Sequence, residues 1–319
     1  MRIVRRELQI IRDDLHCNAV RICGTDLGRV KRTAEQALSL GLETWLCPEI
    51  FEHDQSTTLR YIAGAARTAE ALRRRWPGQI VLSIATELSV FMPGILEGAR
   101  FTERIASPTL LQQIFSEAYS ERLNAFLAAA DVTTRRSYQG PVTYAAAPFE
   151  PVDWNIFDLA SLDLYRDHTN RSSFDAPLRP ALAYGKPVVI SEVGLCTYRG
   201  AEHAGGMGWA IIDHTSRPLQ LNGEYKRDEE LQASELIDML ERLDGRRVDG
   251  VFVMTFVSPL LTHREDPRHD LDMASYSLVK SYHDRNGTTY PDMPWEPKQS
   301  FNALARHFAE RGNTGATCH

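Results

Sequence analysis

The sequence predicts an α/β fold, a parallel sheet wrapped by helices, and three observations carry that expectation. Short runs such as Ile80-Val81-Leu82-Ser83-Ile84-Ala85-Thr86 and Val188-Val189-Ile190 are apolar or β-branched nearly throughout, the pattern of strands buried on both faces. Amphipathic helical segments separate most of these runs, and such alternation implies right-handed crossovers between parallel strands. No linker or change of composition interrupts the 319 residues. One domain over 1–311 is therefore expected, with a disordered tail over 312–319. Strand starts spaced on average by roughly 40 residues fit a (β/α)8 TIM barrel better than two dinucleotide-binding halves.

In chain order, Val4, Leu8, Ile11 and Leu15 place the first helix over 4–15, and Asn18 to Gly24 follows as a strand with Arg21 inside it. Asp26 is a suitable cap for the next helix, whose apolar stripe stops at Gly41. Leu42 to Phe51 reads as a strand, and a helix carrying Ile62, Ala66, Ala69 and Leu72 ends at Pro77-Gly78. The strand from Ile80 ends at Glu87. A long helical region covers 109–136, followed by strands at 141–146 and 157–165. A turn at Tyr184-Gly185-Lys186-Pro187 opens the strand that ends at Glu192. The segment Glu229 to Leu243 is an amphipathic helix, 251–256 the last strand, and Phe301, Leu304 and Phe308 mark a final helix. That makes seven strands. The chain opens on a helix where a barrel needs its first strand; a misplaced start codon and a true truncation account for this equally well.

Composition narrows the function classes. Hydrophobic residues at 43% and charged residues at 24% are ordinary for a soluble globular protein. A net charge of -6, with Lys and Arg scattered among acidic residues, leaves no footprint for nucleic acid. No apolar run reaches the length of a membrane span, and the N-terminus lacks a signal-peptide core. Five cysteines without CxxC spacing point to reduced thiols and a cytoplasmic setting. No cofactor is expected, because no phosphate-cradling glycine motif follows a strand. No metal is expected either: His263, His269, Asp270 and Asp272 lack ligand spacing and read as a solvated polar loop.

Functional groups in parallel α/β folds sit beyond the carboxyl ends of the strands. Glu87 and Glu192 occupy two such ends, those of strands four and seven if the absent strand is counted first. Two carboxylates facing each other across a barrel mouth suit glycoside hydrolysis with retention. One is neutral enough to protonate the leaving oxygen, the other ionised to attack the anomeric carbon, at a separation of about 5–5.5 Å. Arg21, inside a strand, needs a carboxylate partner. The mouth beside Glu192 is the expected place, a structural ion pair elsewhere the other reading. Glu49, Glu150 and Asp163 also lie near strand ends, where they can face the mouth or act as supporting and loop-capping groups. Trp45 reads as core, whereas Trp154 and Trp209 lie in loops and are stacking candidates.

The runs Asn18-Ala19-Val20-Arg21-Ile22, Ala85-Thr86-Glu87 and Ile190-Ser191-Glu192-Val193-Gly194 resemble strands two, four and seven of clan A glycoside hydrolases. The resemblance implies that Glu87 is the acid/base, Glu192 the nucleophile, Arg21 a neighbour of the nucleophile and Tyr165 the aromatic that orients it. Thr86 stands where that clan has an Asn, and Thr255-Phe256 where it has a sugar-stacking Trp. Nearly the whole chain also resembles a group of actinobacterial barrel proteins labelled "abortive infection protein". The shared runs are Asp13 to Arg21, Val152-Asp153-Trp154, Asp270 to Tyr276 and Trp295-Glu296-Pro297-Lys298.

The expected function is thus hydrolysis of a small glycoside or glycosylated metabolite, with Arg21, Glu150, Trp154, Tyr165, Tyr198, Trp209 and Thr255 in the substrate-binding set. Loops 89–108, 195–227 and 262–298 are long enough to wall a pocket rather than an open groove. Tyr198, Trp209 and Tyr225 offer flat faces in one of them, with Arg199, His203 and His214 as polar contacts. Two other readings remain: a non-hydrolytic carbohydrate- or metabolite-binding barrel, possible in phage defence, and an acid/base enzyme acting on a non-sugar metabolite.

Overall fold

Seven strands form one sheet whose spatial order follows the sequence, as in a (β/α)8 barrel with one strand missing. They are β1 (Ala19–Gly24), β2 (Glu43–Pro48), β3 (Ile80–Thr86), β4 (Val142–Ala146), β5 (Ala160–Asp163), β6 (Val188–Val193) and β7 (Gly250–Val253). The computed structural model describes residues 2–313. The longer helices are α1 (Arg2–Asp13), α2 (Leu27–Ser39), α3 (Gln55–Arg75), α4 (Glu117–Arg135), α5 (Glu229–Asp244) and α6 (Gln299–Asn313). The expected tail lies, from residue 314 onward, outside the described residues. No described helix is long and apolar enough to cross a membrane.

The chain divides into two compact units, one of them mainly Cys17–Asp163 with Pro177–Ser191. In this unit β1 and β2 pair in parallel from Ala19 opposite Glu43 to Gly24 opposite Pro48. All seven residues of β3 and all five of β4 are buried, which explains why these strands read as unbroken apolar runs. Asp26 caps α2 by accepting from the amides of Gly28 and Arg29, and Asp54 caps α3 by accepting from Thr57. The expected helix over 109–136 is two pieces. Leu110–Ile114 stops, and Ser116 caps α4 afresh with its hydroxyl oxygen on the Tyr119 amide. The strand expected over 157–165 is only β5, because Trp154–Ile156 forms a 3-10 turn that packs Trp154 on Phe157.

The second unit contains Ile10–His16, Leu164–Ala176 and the chain from Glu192 on. Here β7 stops at Val253, short of the expected Phe256. The Thr255 amide donates instead to the Tyr276 carbonyl, and the Thr255 carbonyl accepts from Leu278. Gly194 is required by a close approach: a Cβ there would lie 2.4 Å from the Met254 carbonyl oxygen. The 195–227 segment is folded, not slack. It holds two 3-10 turns and a short hairpin, and Tyr198, Ile211 and Leu221 pack with Met273 and Tyr276 in a common core.

The loop expected to be polar and solvated is instead tied down by buried charge. Asp270 and Asp272 are buried and share the Arg227 guanidinium at 2.8 and 2.9 Å. Lys298, fully buried, reaches Asp272 at 2.9 Å and donates to the Thr197 hydroxyl at 2.8 Å. His263 sits 3.0 Å from Asp270. Burial raises the Asp270 carboxyl, but His263 and Arg227 outweigh it and hold it below its ordinary value. Two of the runs singled out in the sequence, around Asp272 and Lys298, therefore meet in one ion pair. Removing one member of such a pair leaves a charge without solvent or partner. Lys298→Met is expected to lower unfolding free energy by about 3–5 kcal/mol in urea titrations, and a loss below about 1 kcal/mol would show that Arg227 alone satisfies Asp272.

Candidate active site

Glu192 is the penultimate residue of β6 and is half-buried. The Tyr165 hydroxyl, just past β5, lies 2.7 Å from its Oε2 and 2.8 Å from the Met254 sulfur. One hydroxyl proton serves both, so the phenol orients the carboxylate and is itself held by the residue that follows β7. Tyr276 packs against the Tyr165 ring at 5.4 Å and donates its own hydroxyl to the Gly205 carbonyl. The expected partnership of Tyr165 with Glu192 is present.

Glu87 follows β3 directly and has φ 41° and ψ 48°, the left-handed region. That conformation is uncommon for a residue with a long side chain, and such strain persists only where the surroundings impose it. The imposing contacts are visible. The Glu87 amide donates to the Ala145 carbonyl on β4, and the next amide, Leu88, donates to the Tyr144 hydroxyl at 2.6 Å. Tyr144 in turn donates to Glu150, which also accepts from the Ser89 amide and hydroxyl and from the Ala147 amide. Burial pushes the Tyr144 phenol far up, with the Glu150 charge adding to it. The Glu150 carboxyl is raised too, by burial opposed by these donors. Glu150 is thus a buried clamp on the loop after Glu87, and its expected place among the substrate ligands is corrected.

A residue of greater consequence is Asp163, the last of β5, at 0% exposure. One oxygen accepts from the Thr86 hydroxyl at 3.0 Å, the other from the Ser191 hydroxyl at 2.6 Å. Thr86 and Ser191 immediately precede Glu87 and Glu192. Sequence reasoning left Asp163 between facing the mouth and a supporting or loop-capping role. The available signal was a hydroxyl residue one position before each candidate carboxylate.

The other expected site residues have varied surroundings. Arg21 donates to the Cys47 sulfur at 2.9 Å. Trp154 and Tyr198 are each 4% exposed. Trp154 is core beneath a turn, and Tyr198 donates its hydroxyl to the Gly208 carbonyl with Tyr225 edge-on to its ring. Neither offers a face to a sugar, because packing has taken both. Trp209 is half-buried against the same core as Tyr198, Tyr225 partly buried, and Arg199, His203 and His214 exposed. Thr255 is half-buried beside the Tyr276 segment. Trp45 is core, its indole N–H donating to Glu43. A cavity of about 840 Å³ opens between the 195–227 and 262–298 segments, lined by Leu219, His263, Arg264, His269, Tyr282 and Arg285 among others. The Arg285 guanidinium lies over the Tyr282 ring at 4.1 Å.

Comparison with solved structures settles the fold. A GH113 β-1,4-mannanase superposes with a TM-score of 0.63 at 14% identity, over 98% of this chain and 94% of that one. The fold is the (β/α) barrel. The GH113 β-mannanase AaManA from Alicyclobacillus acidocaldarius, in complex with ManMIm, gives 0.61 at 15% identity, over 97% and 92%. β-Glucuronidase 2 of Bacteroides uniformis gives 0.58 at 16% identity, over 96% of this chain and 32% of that one. No family model and no curated protein matches the chain.

Two outcomes check this geometry. Glu87→Gly is expected to be more stable than Glu87→Ala by about 1 kcal/mol, since both lose the side chain and only glycine relieves the backbone; equal stabilities in paired denaturant titrations would remove the strain. Asp163→Ala orphans two buried hydroxyls and is expected to cost about 2–4 kcal/mol, more than Thr86→Val or Ser191→Ala measured alone.

Proposed function

We propose that this chain is a glycoside hydrolase-like enzyme working with retention, Glu192 its nucleophile and Glu87 its acid/base. The observation that carries the proposal is Asp163, whose two oxygens hold the residues immediately before those two glutamates. The Tyr165 hydrogen bond supports the assignment of Glu192, because a nucleophile needs one oxygen held and the other directed at the sugar. Glu192 attacks the anomeric carbon and forms an ester bond to it as the glycosidic bond breaks. Glu87 passes its proton to the departing oxygen. A water that then loses a proton to Glu87 cleaves the ester and restores both groups.

The substrate class we propose is a small glycoside or glycosylated metabolite met in the cytoplasm and cleaved at its terminus. The lengths of the 89–108, 195–227 and 262–298 loops support it, since long loops suit a walled pocket better than an open groove; the cavity between the last two is lined by neither glutamate. One observation favours the second reading, acid/base chemistry on a non-sugar metabolite. Thr86, in the place where a sugar 2-hydroxyl would find an amide, is buried and gives its hydroxyl to Asp163.

Glu192→Gln and Glu87→Gln are each expected to reduce turnover of an aryl glycoside by about 10³-fold or more, with melting temperature nearly unchanged. A slow fluorosugar substrate should leave one glycosyl mass on the peptide that contains Glu192. Labelling elsewhere would reassign the nucleophile. Absence of turnover across a panel of aryl glycosides would favour the non-sugar reading, and internal oligosaccharides released from a polysaccharide would overturn terminal cleavage.

A further inference from the structure

Five cysteines without CxxC spacing read as reduced thiols, but strand register brings two of them together. Cys23 on β1 lies directly opposite Cys47 on β2. Side chains of paired residues in neighbouring parallel strands leave the sheet on the same side. Glu49, two residues after Cys47, follows on the same side where the strand ends. The two sulfurs and a Glu49 carboxylate oxygen all lie within 4.8 Å of one another.

We propose that Cys23, Cys47 and Glu49 form a site for a zinc-class divalent cation at the carboxyl end of β1 and β2. Donor type selects the ion: two thiolates favour zinc and its relatives over magnesium or calcium, which prefer all-oxygen sets. Geometry permits it. A tetrahedral ion with sulfur at about 2.3 Å and oxygen at about 2.0 Å needs donors a little under 4 Å apart, a small rotamer adjustment from the observed cluster. Charge is matched as well. Two thiolates and a carboxylate exceed a divalent cation by one negative charge, and the Arg21 guanidinium already donates to the Cys47 sulfur at 2.9 Å. A donor of this kind, bonded to a ligand atom from outside the coordination sphere, orients the ligand and tempers its charge.

Three protein donors leave the fourth tetrahedral position to water or to a ligand oxygen, the arrangement of reactive rather than purely structural zinc sites. Access exists, because Cys23 is exposed while Cys47 is buried. Glu49 also lines a small cavity, about 10 Å³, with Thr86 and Leu88, the residues on either side of Glu87. The cation would therefore stand at the same end of the sheet as that carboxylate. The inference does not depend on glycoside hydrolysis, and its test reads metal directly.

Reduced protein, freed of metal and titrated with Co²⁺ as a spectroscopic probe, is expected to bind one equivalent. Thiolate-to-cobalt charge-transfer absorption and tetrahedral visible bands should appear, and Zn²⁺ should abolish both. Cys23→Ser and Cys47→Ser should lose the charge-transfer band, and Glu49→Gln should weaken binding by about tenfold or more. Cys17→Ser and Cys196→Ser should leave the titration unchanged. If Cys47→Ser fails to fold, protection of wild-type Cys23 from iodoacetamide by Zn²⁺, read by peptide mass, replaces it. Absence of a band and of protection in reduced wild type overturns the site. So does a Cys23–Cys47 disulfide that forms in the presence of excess Zn²⁺.

Discussion

The constraint on which the candidate chemistry depends is one buried carboxylate, Asp163, holding the hydroxyls of Thr86 and Ser191. A carboxyl group at 0% exposure is costly unless donors surround it, and here the donors come from the carboxyl ends of β3 and β6. Its position at the end of β5 makes it short enough to reach both without leaving the sheet. Precision follows from that economy of reach. A residue next to a hydrogen-bonded strand end inherits its position, whereas one carried on a free loop would not.

Around Glu87 the structure adds a second restraint of a different kind. Its left-handed backbone is uphill by itself, so the contacts that hold it must outweigh the strain. Tyr144 and Glu150 do so from beneath, through the amides of Leu88 and Ser89. Burial raises both groups, and on Glu150 the donors from Ser89, Tyr144 and Ala147 oppose that rise. Glu192 is held instead through its side chain, by Tyr165. One glutamate is fixed by its main chain and the other by its oxygen.

Much of this was legible in the sequence, for physical reasons that particular residues show. β3, β4 and β6 are buried on both faces, so their apolar runs announced them, and Asp26 and Asp54 marked helix starts by a local rule. β5 was overestimated because Phe157 and Leu159 are as apolar as strand residues but belong to a turn. Trp154 and Tyr198 were misplaced because composition does not say which neighbours will cover a ring in a loop. The solvated reading of Asp270 and Asp272 failed since the compensating charges, Arg227 and Lys298, are far away in sequence. Cys23 and Cys47 escaped notice because their pairing lies in the register between strands, which no spacing rule records.

The same ion cluster has a bearing on how the chain is made. Asp272 finds its buried cation in Lys298, and Lys298 bonds Thr197, which is 101 residues earlier. While the ribosome is still short of residue 298, Asp272 has only Arg227 to neutralise it, and the Thr197 hydroxyl lacks its lysine donor. Contacts of such separation form late and slowly, since a long loop must close before any of them is rewarded. The unit that contains Glu192 therefore cannot complete its interior before Lys298 has been made. Until that residue is available, the segments around Thr197 and Asp272 stay incompletely packed and open to wrong contacts.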